Sequence, residues 1–193
     1  MEENPLKNKE KLALKIEIAT EKDWEEYKKI RCEAIDTDPE GSGKYFKDEA
    51  RVERNQTDNE WKEDLGKSII VLARNGSEVI GIIKGVKSPN SDELRVWRIN
   101  SVFLKPNFRK SVIGENIAER MLKTILDEEK RKGAEKVRLW VLVSRGAAIK
   151  LYEKFGFEKL DEERALPIIG NDPKYLSEYQ IMELDLINKE HNG

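Results

Sequence analysis

The stretch from Leu94 to Ala118 constrains this chain more than any other. A strand pattern ends at Leu104, Pro106 interrupts it, and a long amphipathic helix opens near Ile113 and Gly114. Ile113, Ile117, Met121, Leu122, Ile125 and Leu126 form one apolar face of that helix, with Glu115, Glu119, Lys123 and Asp127 on the other. Gly133 stops it after Lys130, Arg131 and Lys132, whose charge complements the negative end of the helix dipole. A second strand, Val137 to Val143, then runs into a second helix carrying Ala148, Leu151, Tyr152, Glu153 and Lys154, stopped at Gly156-Phe157. Two strand–turn–helix units in succession require helices packed on a sheet.

The first of these turns has a chemical consequence. The leading N–H groups of a helix have no partner within it, and the helix dipole adds positive potential there, so such a turn suits a pyrophosphate. Arg109, Lys110, Ser111, Val112, Ile113 and Gly114 supply N–H donors, two cations and a hydroxyl, and Glu115 and Asn116 continue the first helical turn.

These motifs resemble the GNAT superfamily of N-acetyltransferases, whose cofactor loop reads Arg/Gln-x-x-Gly-x-Gly/Ala and whose later helix reads Asn-x-x-Ala-x-x-Leu-Tyr-Glu-x-x-Gly-Phe. Arg109 and Gly114 match the first pattern; Ala148, Leu151, Tyr152, Glu153, Gly156 and Phe157 match the second. The resemblance extends from Leu14 to Leu186. Two departures stand out. Val112 replaces a loop glycine, so the turn either sits at negative φ or holds the cofactor less closely. Arg145 replaces the usual Asn, and an Arg there could reach a phosphate instead.

The resemblance implies an α/β fold of mixed α+β type. Its mostly antiparallel, twisted sheet of about seven strands would be flanked by helices, with the fourth and fifth strands splayed apart. Acetyl-CoA (coenzyme A after transfer) would lie in that splay as a co-substrate with no metal, its pantetheine paired to the backbone of Val102, Phe103 and Leu104. Loop residues 109–116, Arg145, Ala148 and Tyr152 would complete the cofactor site. The activity implied is acetyl transfer to a primary amine, on a small molecule, a peptide or protein N-terminus, or a lysine, by direct attack in a ternary complex.

That chemistry needs a neutral amine, a stabilised oxyanion and a proton for the leaving thiolate. Tyr152 is the candidate acid, and the Leu104 N–H is the candidate oxyanion donor. The strand glutamate that many relatives use as a base is replaced by Arg98. Asn100, on the same strand face, could hold a water. Glu49 and Glu53 are the remaining candidates for the base. They lie in a lobe from Asp36 to Leu65 where acidic residues outnumber basic ones, which would attract a cationic acceptor. Arg98, or Arg95 if a bulge re-aims it, would instead bind an acceptor carboxylate. The choice of acceptor stays open at this level.

Two other readings compete. The departures at Val112 and Arg145 and the missing glutamate would suit a non-catalytic acyl-CoA-binding or regulatory protein on the same fold. An unrelated nucleotide-binding protein is disfavoured, because neither Gly-x-x-x-x-Gly-Lys-Ser/Thr nor Gly-x-Gly-x-x-Gly occurs.

Composition narrows the partners. The 193 residues suit one domain over 12–187, with a polar tail at 1–11 and another at 188–193. With 36 basic and 38 acidic residues the net charge is −2, which argues against a nucleic-acid partner. A lone cysteine, Cys32, excludes an internal disulfide, and neither a signal region nor a membrane-length apolar run is present. A cytoplasmic protein, with a homodimer as one possible assembly, is the expectation.

Other elements follow from local pattern. A first strand is expected over 14–19. A helix capped by Thr20 with Asp23 should bury Tyr27, Ile30 and Ala34, and helices are expected over 44–55 and 59–65. Strands at 68–74 and 79–86 should form a hairpin at Asn75-Gly76, and a loop with Pro167, Gly170 and Pro173 should precede a last strand near 179–186.

Overall fold

The computed structural model describes residues 14–38, 47–89, 95–109, 112–169 and 173–187, so both predicted tails lie outside the described residues. A seven-stranded sheet runs in the order β1-β2-β3-β4-β5-β7-β6. Its strands are β1 (Leu14–Ile18), β2 (Ile69–Asn75), β3 (Glu78–Lys87), β4 (Val96–Leu104), β5 (Lys136–Leu142), β6 (Glu158–Lys159) and β7 (Tyr179–Asp185). Neighbours are antiparallel except β4 and β5, which are parallel because a helix crosses over between them.

One face carries α1 (Trp24–Thr37) and α3 (Asp58–Lys67), with α2 (Lys47–Arg54) between them in the chain. Thr20 and Asp23 form the expected capping box, here on a single 3₁₀ turn leading into α1. Tyr27, Ile30, Ala34, Trp61 and Leu65 bury against Ile70, Leu72, Ile82 and Phe103. The opposite face carries α5 (Val112–Arg131), which follows a four-residue turn, α4 (Pro106–Arg109). It also carries α6 (Gly146–Lys154), and here Ile117, Met121, Leu122, Ile125 and Tyr152 meet Val71, Ile80, Trp97, Ile99, Val137 and Leu139.

The segment read as a loop after β6 contains regular turns instead. Asp161 accepts a hydrogen bond from the Arg164 N–H and caps α7 (Glu162–Ala165), and two 3₁₀ turns follow. The Asp-Glu-Glu-Arg sequence is a helix-start signal that a loop reading based on Pro167, Gly170 and Pro173 does not register. With Trp140 and Ile181, these turns build a small third apolar cluster around Leu160 and Ala165.

Candidate active site

Strand β4 changes character half-way. Val96 to Ile99 pair with β3 on one side and with Lys136 to Leu139 of β5 on the other. From Asn100 onward the β5 pairing stops, although β4 continues to Leu104 and β5 to Leu142. The two strands therefore diverge into a cleft at their C-terminal ends.

A bulge accompanies the divergence. The β3–β4 register slips by one residue between Ile82–Phe103 and Lys84–Asn100, and Ser101 takes a positive φ of 53°. An extra residue in one strand reverses which side chains face which way. Trp97 and Ile99 belong to the α5 face, but beyond the bulge Phe103 belongs to the α1 face and Leu104 packs against the α5 side. The same reversal orients the backbone. The Lys105 N–H bonds the Ile80 carbonyl, so by antiparallel alternation Phe103 also pairs toward β3 while Val102 and Leu104 point their N–H groups into the cleft. Of the three residues expected to pair with a pantetheine, Phe103 thus has its backbone committed to Ile82, while Val102 and Leu104 face the gap. Val102 is exposed there.

Arg109 folds back over this strand end. Its Nε–H donates to the Leu104 carbonyl, and its guanidinium lies 5.0 Å from the Phe103 ring centre. Helix α5 begins at Val112, which settles the conformational question: a residue in an α-helix has negative φ, so no glycine is required there. Lys110 and Ser111 lie outside the described residues, as do the side chains of Val112, Ile113, Gly114, Glu115, Asn116 and Glu49.

Tyr152 is held by the way α6 ends. Gly156 at φ 85° donates its N–H to the Glu153 carbonyl and Phe157 donates to the Tyr152 carbonyl, which is a Schellman arrangement. Its hydrophobic contact is the Tyr152–Phe157 pair, edge to face at 5.8 Å. The Tyr-x-x-x-Gly-Phe spacing therefore orients the ring as well as stopping the helix. Burial in apolar surroundings pushes the Tyr152 phenol above its usual range, so it stays protonated through neutral pH. Ala148 and Leu151 are half-buried against the same cluster.

Before the bulge, Arg98 and Asn100 lie on the α1 face. Asn100 sits across from Lys84, whose ammonium binds both oxygens of Asp64 at 2.7 and 2.8 Å, and Asp64 also accepts from Tyr27. The Arg98 guanidinium stacks 4.8 Å from the Trp140 ring centre. On the next strands Glu183 is buried under Arg138, Lys136 and Arg164. Burial raises the Glu183 pKa, but the hydrogen bonds from Arg138 and Lys136 outweigh that and hold it below the usual carboxylate value.

Several expected roles are not assembled. Glu53 is engaged by Arg31 through two bonds of 2.9 and 2.6 Å, which ties α2 to α1 rather than presenting a base. Arg95 pairs with Glu135 at the end of the sheet remote from the cleft. Cys32 is half-buried and burial raises its pKa, in keeping with a packed thiol. Asp38, which no motif singled out, accepts from Arg145 at 2.7 Å and from Arg109 at 3.4 Å. Ser101, Trp140 and Asp38 carried no usable sequence signal, since each depends on contacts across the fold.

A sequence model of the acetyltransferase (GNAT) family matches residues 24–157. The chain belongs to this family. An uncharacterized N-acetyltransferase of Methanocaldococcus jannaschii is 31% identical over 70 residues, a stretch covering 36% of this chain and 29% of that protein. Among solved structures, the PaiA N-acetyltransferase of Thermoplasma acidophilum, in complex with coenzyme A, superposes with a TM-score of 0.62 at 18% identity, covering 90% of this chain and 99% of the other. The yncA protein of Salmonella typhimurium, solved with its cofactor acetyl-CoA, gives a TM-score of 0.65 at 14% identity, with 94% and 97% covered. At these identities the structural likeness speaks for the GNAT fold. No helix among the described residues is long and apolar enough to cross a membrane.

Proposed function

We propose that this GNAT protein transfers an acetyl group from acetyl-CoA to a primary amine. The observation that carries the reading is the cleft itself. It is a parallel strand pair that stops pairing half-way, with the Val102 and Leu104 N–H groups aimed into the gap and a helix N-terminus beyond it. The parted strands and the donors facing the gap suit a pantetheine amide chain, and the α5 N-terminus suits the pyrophosphate. Two structural neighbours carry acetyl-CoA or coenzyme A in their own complexes.

In this reading the Leu104 N–H polarises the thioester carbonyl while the acceptor nitrogen attacks the carbonyl carbon directly. As the carbon–sulfur bond breaks, Tyr152 donates its proton to the thiolate and the amine's surplus proton leaves to water. A phenol pushed above its usual pKa is a weak acid, but thiolate in the same apolar pocket is correspondingly more basic. With Glu53 held by Arg31, Asn100 would order the water that takes the proton. Without a positioned carboxylate base the reaction favours an α-amino group, with a pKa of about 7.7–8.0, over a lysine amine at about 10.4.

An acceptor panel followed by release of free CoA thiol tests this. Turnover with α-amino acceptors, faster than with matched ε-amino ones, is expected. Saturable CoA binding with no turnover on any amine would replace the enzyme with a non-catalytic acyl-CoA binder.

A further inference from the structure

The Asp38 carboxylate sits between two cations that belong to opposite sides of the cleft. Oδ1 accepts from Arg145, the N-cap residue of α6 just beyond β5. Oδ2 accepts from Arg109, the last residue of α4 just beyond β4. The aspartate itself is anchored, because its own N–H bonds the Ala34 carbonyl and closes α1. One carboxylate thus ties the ends of the two diverging strands together, and all three side chains stay partly solvent-accessible, at 20% for Asp38, 33% for Arg109 and 38% for Arg145.

We propose that Asp38 is a donor-specificity residue: it competes with the phosphates of acyl-CoA for Arg109 and Arg145 and so sets how strongly anionic a donor must be to enter. This rests on the cofactor placement proposed above, extended so that Arg109 and Arg145 meet the phosphates. The trio carries a net charge of +1, so the mouth still attracts anions, but any incoming oxygen must displace or share a carboxylate already bonded to both guanidiniums. A diphosphate, with more charge and more acceptor oxygens, wins that exchange, while a monoanion does not. The same carboxylate repels the ligand at short range, so both effects act in one direction. Binding would release the Asp38 carboxylate from at least one arginine, while its backbone N–H keeps its bond to Ala34.

Calorimetric titrations of CoA, inorganic pyrophosphate and the phosphate-free acetyl-pantetheine into wild type, Asp38→Asn and Asp38→Ser test the idea. Both variants should tighten CoA and pyrophosphate by roughly two- to fivefold, the scale of a partly exposed ion pair, and leave acetyl-pantetheine unchanged. In an Arg145→Met background the gain from Asp38→Asn should shrink, an effect that a purely structural role for Asp38 does not produce. Weaker or unchanged CoA binding in both Asp38 variants, or equal tightening of acetyl-pantetheine, overturns the proposal. If Arg109→Ala and Arg145→Met leave CoA affinity untouched, the cofactor placement is wrong and the inference falls with it. If they weaken CoA while Asp38→Asn fails to tighten it, the placement stands and the inference alone falls.

Discussion

The two ends of the sheet's centre are built on opposite terms. At the closed end Val96 to Ile99 pair on both sides, and α5 packs so tightly that Gly85 lies under Glu129, where an added Cβ would collide with the carboxylate oxygen. At the open end Asn100 to Leu104 lose a neighbour, gain a bulge and expose Val102. Oddities occur at both ends but cost different things. The open end leaves backbone groups unpaired in the cleft where we propose that the cofactor lies. The closed end buries an ionisable side chain: Glu129 is fully buried, and both its carboxylate oxygens lack hydrogen-bond partners among the described residues. Changes at the open end should therefore move activity, and changes at the closed end should move stability.

The largest effect expected is at the open end. Tyr152→Phe should lower kcat by roughly 10²–10⁴-fold, with acetyl-CoA affinity and unfolding midpoint little changed, as steady-state kinetics and thermal melts would show. Wild-type activity should rise with pH as the amine is freed, with no fall before about pH 10, because the phenol is raised rather than lowered. Retained kcat in the Phe variant would remove the tyrosine from the chemistry and leave the comparison without its strongest point.

Next comes the closed end. Burial raises the Glu129 pKa from 4.5 to about 8. Between these values the unfolded chain has released a proton that the folded chain keeps. Stability therefore falls as pH rises through that window, by about 1.4 kcal/mol per pH unit, and levels off above pH 8. Glu129→Met should abolish the slope and stabilise the fold at pH 7 on the order of 3 kcal/mol, with kcat unchanged. Urea unfolding at pH 5, 7 and 8 measures this. A flat profile in wild type would show that Glu129 finds a partner.

Ser101 probes the boundary between the two ends. A non-glycine residue in the left-handed region costs about 1–2 kcal/mol. Ser101→Gly should be neutral to slightly stabilising and keep activity. Ser101→Val should destabilise by about 1–2 kcal/mol and also raise the KM for acetyl-CoA, since a straightened strand would turn the Leu104 N–H away. A valine variant with normal KM would mean the bulge is not what aims that group.

The smallest effect concerns Val112. Because it already lies in α5, Val112→Gly should cost below about 1 kcal/mol in stability and give no gain in CoA affinity by calorimetry. Tighter binding would show that the branched side chain, rather than the backbone, limits the cofactor's approach.

The chain's local pattern was enough for most of the frame. The Thr20–Asp23 cap, the apolar stripe of α5, the Asn75-Gly76 hairpin and the Gly156-Phe157 stop are decided by residues within a few positions of one another, so periodicity and turn chemistry suffice to place them. The second motif was legible for the same reason: its glycine and phenylalanine act on the tyrosine one helical turn earlier. The turns after β6 were less legible, because capping and proline signals compete there without a strong apolar stripe to decide between them; the expected start of α2 at 44–46 lies outside the described residues.

Tertiary structure alone decided the rest. Whether β4 and β5 stay paired depends on the register of residues some forty positions apart, and nothing local marks Ser101 as the place where the phase slips. Glu53 and Arg95 looked available only because their partners, Arg31 and Glu135, are distant in the chain. Asp38 acquires its meaning from Arg109 and Arg145, 71 and 107 residues away. Short-range pattern reports which element a residue joins. The charges and backbone groups it meets are set by packing, and the shape of this cleft was settled at that level.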